Sequence, residues 1–150
     1  MKFNQPISDL IKTQKLKESQ DVVYGIYSYE TDQLEGFRLG DVYLSTYKYP
    51  KSAAADYNNI EVYVDNRKSQ QYLGFRYNTV DQEEIKQLIE YFKKKYPTYE
   101  QRKDSNGDGY FWDIGPLDAW LFYYPSTSVD GDGKNFLNSN FLFVKKGTRM

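Results

Sequence analysis

Between Asn59 and Asn66 the chain alternates with a period of two, with Ile60, Val62 and Val64 on one side and Glu61, Tyr63 and Asp65 on the other. Successive strand residues point to opposite faces, so this pattern predicts a half-buried strand. Gln71 to Thr79 repeats it: Leu73, Phe75 and Tyr77 alternate with Tyr72, Gly74 and Arg76, and the polar NRKSQ between the two runs predicts a hairpin loop. The period then changes. From Asp81 to Tyr96, Ile85, Leu88, Ile89, Phe92 and Tyr96 fall on one helical stripe. Asp81 with Glu84 makes a capping box, Glu83 and Glu84 suit the positive helix start, Lys93 to Lys95 suit the negative end, and Pro97 stops the helix.

The same reading extends to both ends of the chain. Ile7, Leu10, Ile11 and Leu16 predict a short amphipathic helix over Ile7 to Lys17. DVVYGIYSYE, Asp21 to Glu30, reads as a strand, followed by a turn over Thr31 to Glu35. Gly36 to Tyr49 is a second extended run with a bulge or break at Gly40–Asp41; beyond it Val42, Leu44 and Thr46 face away from Tyr43, Ser45 and Tyr47. Pro50 ends it, and KSAAADYNN is a loop. Strands are also expected over Tyr110 to Ile114, Leu117 to Tyr124 and Phe136 to Lys146, the second of them central because apolar residues fill most of its positions. The expected fold is α+β, a single domain: one mostly antiparallel sheet of about six or seven strands, an N-terminal helix, and the second helix packed on one face.

Composition changes this picture mainly by exclusion. Cysteine and histidine are absent. Without them there are no disulfides, no thiolate or imidazole metal sites, no cysteine nucleophile, and no serine–histidine arrangement. Lys plus Arg number 20 against 21 Asp plus Glu, so a net charge of -1 offers no global field toward nucleic acid or an anionic membrane. LGFRY, Leu73 to Tyr77, shares a Gly-aromatic pair with one RNA-binding sheet motif but lacks the rest of it. The opening residues hold no apolar run of signal-peptide type and no window approaches a membrane span, which makes the cytoplasm the default expectation and secretion the alternative.

Tyrosine stands out, with 16 copies beside 9 Phe and 2 Trp. AT-rich coding in a bacterial genome would enrich it, and so would a binding surface, because tyrosine offers large amphipathic area at low entropy cost. If strand register aligns them, Tyr43, Tyr47, Glu61, Tyr63, Asp65, Tyr72 and Arg76 form a tyrosine-rich, partly acidic, open sheet face. The first functional expectation is therefore non-enzymatic protein binding. In concrete form this is a small bacterial immunity or inhibitor protein docking on a basic toxin or enzyme, without cofactor, nucleic acid or membrane.

Two alternatives stand beside it. DSNGDGYFWD sets Asp104, Asn106 and Asp108 at the first ligand positions of a calcium loop, with Gly109 at its sharp turn, but the twelfth position is Gly115 rather than a bidentate Glu. A turn explains the stretch more cheaply. VDGDGKN adds Asp130 and Asp132, which would share a cation with Asp104 and Asp108 if the loops converged. A secreted or surface carbohydrate- or ligand-binding module, stabilised by calcium, follows from that option. The third option is a carboxylate hydrolase, with Asp113 and Asp118 flanking a Gly-Pro turn beside Trp112 and Trp120.

Overall fold

A computed structural model of the chain describes residues 2–19, 25–44, 58–129, 133 and 135–149. Their helices are α1 (Ser8–Thr13) and α2 (Gln82–Lys95). Their strands are β1 (Lys17–Glu18), β2 (Tyr27–Thr31), β3 (Arg38–Leu39), β4 (Val42–Tyr43), β5 (Asn59–Val64), β6 (Tyr72–Thr79), β7 (Glu100–Asp104), β8 (Gly107–Ile114), β9 (Ala119–Val129) and β10 (Asn135–Lys145). Eight of them form one antiparallel sheet in the order β1-β2-β5-β6-β10-β9-β8-β7, and β3 pairs with β4 as a separate hairpin. The fold is α+β with two helices, as the patterns predict, and its sheet is slightly larger than expected.

Register explains the core. Because directly paired residues share a face, the pairings lay side chains in rows that run across the sheet. One row runs Tyr29, Val62, Phe75, Phe143, Leu121 and Trp112; the next runs Ile60, Tyr77, Phe141, Tyr123 and Tyr110. Most of these side chains are buried, Val62, Tyr77, Trp112 and Phe141 completely. On this face lies α2, whose Ile85, Leu88 and Phe92 join the core, each contributing about 1.5–3 kcal/mol of hydrophobic stabilisation. Asp81 caps α2 by accepting from the Glu84 N–H at 3.1 Å, and acidic first-turn and basic last-turn residues match the helix dipole. Glu84's buried carboxylate accepts the Tyr77 hydroxyl, tying helix to sheet.

Four local outcomes differ from the sequence reading. The N-terminal helix is only Ser8–Thr13, although Ile7, Ile11 and Leu16 do enter the core. Gly36 to Tyr49 is not one strand, because Gly40 and Asp41 turn the chain back between β3 and β4; Ser45 to Tyr49 lie outside the described residues, as do Asp21 to Tyr24. β7 was not anticipated: EQRKD has no apolar alternation, and it pairs through its backbone with β8 at the sheet edge. Its charged side chains suit an edge, where they discourage pairing with other chains. Finally, the β5–β6 ladder shifts register between Tyr63 and Val64, so that Val64 faces Tyr72. Gly74 sits in this irregularity with φ +153°, and a Cβ there would collide with the Phe143 carbonyl, so only glycine fits.

Candidate functional site

The second face of the sheet is the candidate site. Among the described residues no helix lies on it, since α1 and α2 both contribute their apolar side chains to the core cluster on the other side. Its central row runs Glu30, Glu61, Arg76, Leu142, Phe122, Phe111 and Glu100, strand by strand. Beside it on one side lie Asn59, Asn78, Asn140 and Tyr124, and on the other Tyr63, Gly74, Val144, Trp120 and Asp113. Period-two geometry alone places Trp120, Phe122 and Tyr124 on one face of β9. All three are half-buried, as are Phe111 and Leu142.

The two ends of this face differ in chemistry. At the β5–β6 end, Tyr63 donates its hydroxyl to Glu61 at 3.0 Å, and the Arg76 guanidinium lies 3.3 Å from the same carboxylate. Burial pushes the Tyr63 pKa well above its ordinary value, and the Glu61 charge adds to the rise. Desolvation works against the Arg76 charge, but Glu61, Tyr63 and Tyr124 more than offset it, leaving the guanidinium a stronger base than usual. Tyr124 is among the groups that favour the Arg76 charge, which links this polar cluster to the aromatic stripe. At the β8–β9 end, Phe111 and Phe122 lie 5.0 Å apart, and the exposed Arg102 guanidinium sits 4.7 Å over the Phe111 ring. Arg102 is held there by Glu100 at 3.0 Å.

The seven residues expected to form one open patch do not assemble as such. Glu61, Tyr63 and Arg76 do share the second face, but Glu61 and Tyr63 are only 7% and 8% exposed. Tyr72 is in the core, 5.5 Å from the Phe3 ring, because the register shift at Tyr63/Val64 moves it off the second face. Burial raises its hydroxyl pKa. Tyr43 is exposed but belongs to the β3–β4 hairpin rather than to the main sheet. Asp65 serves the β5–β6 turn, accepting from Ser69 Oγ and the Gln71 N–H, each at 3.1 Å. Tyr47 lies outside the described residues. The acidic anchors for a basic partner are thus already engaged within the protein.

The Asp-Gly stretch is a tight hairpin. Lys103 pairs with Asp108 and Asp104 with Gly107, leaving Ser105 and Asn106 as the turn, and Asn106 accepts from Thr127 Oγ1 at 2.7 Å. Among the described residues no three acidic side chains gather as a metal site; Asp130 and Asp132 fall outside them. Asp113 forms an ion pair with Lys146, while Asp118 closes the 3₁₀ turn Gly115–Leu117 in a left-handed conformation. Trp112 offers no ring face to a substrate beside Asp113 and Asp118, because it is fully buried on the core face and donates its indole N–H to the Tyr96 carbonyl at 3.0 Å.

Of the residues that do form the surface, the sequence singles out only Trp120, and that beside the hydrolase candidates; Phe111, Phe122, Tyr124 and Leu142 go unmarked. A signal was present, since aromatic residues at 120, 122 and 124 share a parity, but β9 reads as apolar on both sides and so as covered on both sides. Among the described residues no helix is long and apolar enough to cross a membrane. Comparison with family models, with curated proteins and with solved structures found no match to this chain.

Proposed function

We propose that the chain is a non-enzymatic protein-binding domain of inhibitor or immunity type, which docks through the β8–β9–β10 part of its second sheet face. The observation that carries this reading is the half-buried stripe of Trp120, Phe122 and Tyr124 along β9, flanked by Phe111, Leu142, Arg76 and Arg102. Trp, Tyr and Arg are the residues that most often dominate interface energetics, and a broad aromatic sheet face suits a protein partner. Ion pairs on this face come as matched couples, Glu61 with Arg76 and Glu100 with Arg102, so the partner need not be basic. Affinity rests on aromatic burial instead of net charge.

Affinity capture from the cell of origin tests this, with the wild type run beside Trp120→Ala/Phe122→Ala and beside Tyr43→Ala. A protein retained by the wild type and by Tyr43→Ala, and lost from the double variant at unchanged thermal stability, is the expected result. Equal retention by all three proteins overturns the assignment.

A carbohydrate-binding module is the second reading, favoured by one observation: the amide row Asn59, Asn78, Asn140 runs beside the same aromatic stripe, and amides next to ring faces are what sugar recognition uses. Saturable binding of a soluble glycan that Asn78→Ala, at a half-buried member of the row, abolishes, without any captured protein, favours it over the first.

A further inference from the structure

On the core side of the sheet, apart from the proposed docking face, lies an apolar cavity of about 130 Å³. Its floor is part of one cross-strand row, Phe75, Phe143 and Leu121. The C-terminal half of α2 and its capping residue roof it with Phe92 and Tyr96, and its sides are the β3–β4 turn and the segment from Ile114 to Leu117. Gly40 makes the first wall close tightly, because a Cβ there would strike the Tyr91 ring. The space opens to solvent at one side, and its volume is close to the roughly 150 Å³ of apolar cavities that take up benzene-sized guests. The space therefore matches a small ring or a short alkyl chain.

Lys95 is the single charged residue lining the cavity among the described residues, and the Asp41 carboxylate, beside Gly40 on the β3–β4 turn, lies close enough to act on its ammonium. Its ammonium donates to the Tyr91 hydroxyl at 3.2 Å and lies 5.6 and 5.8 Å from the Tyr91 and Tyr96 rings, which holds it at the rim. Lys93 and Lys94 precede it, so the three cations outweigh the roughly half-unit negative charge of the helix end. Leu117, 46% exposed, supplies an apolar lip beside the opening.

We infer that this cavity binds a small organic anion, an aromatic or short aliphatic carboxylate whose apolar part enters between α2 and the sheet while its carboxylate meets Lys95. The site is independent of the docking face, and either can stand without the other.

Benzoate is the probe, titrated into isotope-labelled full-length protein while amide and methyl resonances are followed. Saturable shifts are expected at Leu121, Ile114 and Leu117, with benzylamine, the same ring bearing the opposite charge, binding more weakly. Lys95→Gln should weaken benzoate about three- to tenfold and remove its advantage over benzylamine. Leu121→Phe, which fills the floor, should abolish binding. Leu117→Trp, at an exposed position that does not threaten folding, should block the mouth with the same result. Shifts that never saturate, benzylamine matching benzoate in the wild type, or benzoate binding unaltered by Leu117→Trp would each overturn the inference.

Discussion

The two faces of the sheet are built from the same strands and are both rich in aromatic rings, yet they use those rings in opposite ways. On the core face Phe141 lies 5.9 Å from Phe92 and 5.0 Å from Tyr123, closed in by α2, and no part of it reaches solvent. On the second face Phe122 meets Phe111 at a similar 5.0 Å, but both remain half-buried. Ring-to-ring geometry therefore does not separate a core from a surface. What separates them is the covering layer: a helix with an apolar stripe on one side, and none among the described residues on the other.

That contrast can be broken by mutation, and the effects should fall in a definite order. Phe141→Ala opens a void under α2 and should cost about 3–5 kcal/mol, read as a lower midpoint in urea. Arg76→Ala should cost about 1–3 kcal/mol, because it leaves the 7% exposed Glu61 carboxylate without its cation; the 39% exposure of Arg76 keeps the figure below that of a fully buried pair. Adding Glu61→Gln to Arg76→Ala should restore part of that loss, and a double variant no more stable than the single one would contradict the pairing. Trp120→Ala, on the half-buried stripe, should change stability by no more than about 1 kcal/mol while abolishing partner capture.

A pH titration sharpens the same comparison. Burial raises the hydroxyl pKa values of Tyr63, Tyr72 and Tyr77, helped at Tyr63 by Glu61 and at Tyr77 by Glu84. A raised folded-state value means that the native protein holds protons that the unfolded chain releases above its ordinary tyrosine value of about 10. Stability from these groups is therefore fully present below about pH 10 and lost as pH rises beyond it toward the folded values. Tyr77→Phe should make that alkaline decline shallower, and also cost about 1–3 kcal/mol at neutral pH by leaving buried Glu84 without the Tyr77 hydroxyl. Urea midpoints recorded at neutral and alkaline pH for both proteins check the two claims together.

Much of the fold was legible because single elements announce themselves. Ile60, Val62 and Val64 needed only period-two counting, and α2 carried a cap, a stripe, a charge gradient and a stop within Asp81 to Pro97. β7 was illegible because its reason for being a strand is the backbone of β8, to which EQRKD contributes no pattern. The candidate site fared worse, for two physical reasons. Parity assigns a residue to a face only while register is unbroken, and one shift at Tyr63/Val64 moved Tyr72 into the core. Alternation also says nothing about covering, so Glu61 and Tyr63 were placed on the correct face but assumed to be exposed.

The two tryptophans offer the most direct test, since one lies on each face: Trp112 fully buried beneath α2 and Trp120 half-buried on the proposed docking face. Acrylamide quenching of single-tryptophan proteins, Trp120→Phe and Trp112→Phe, reads the two positions separately. Blue-shifted, quencher-resistant emission is expected when only Trp112 remains, and accessible emission from Trp120 that becomes protected when the captured partner is added. Trp120 emission as resistant as that of Trp112 in the free protein would contradict that expectation.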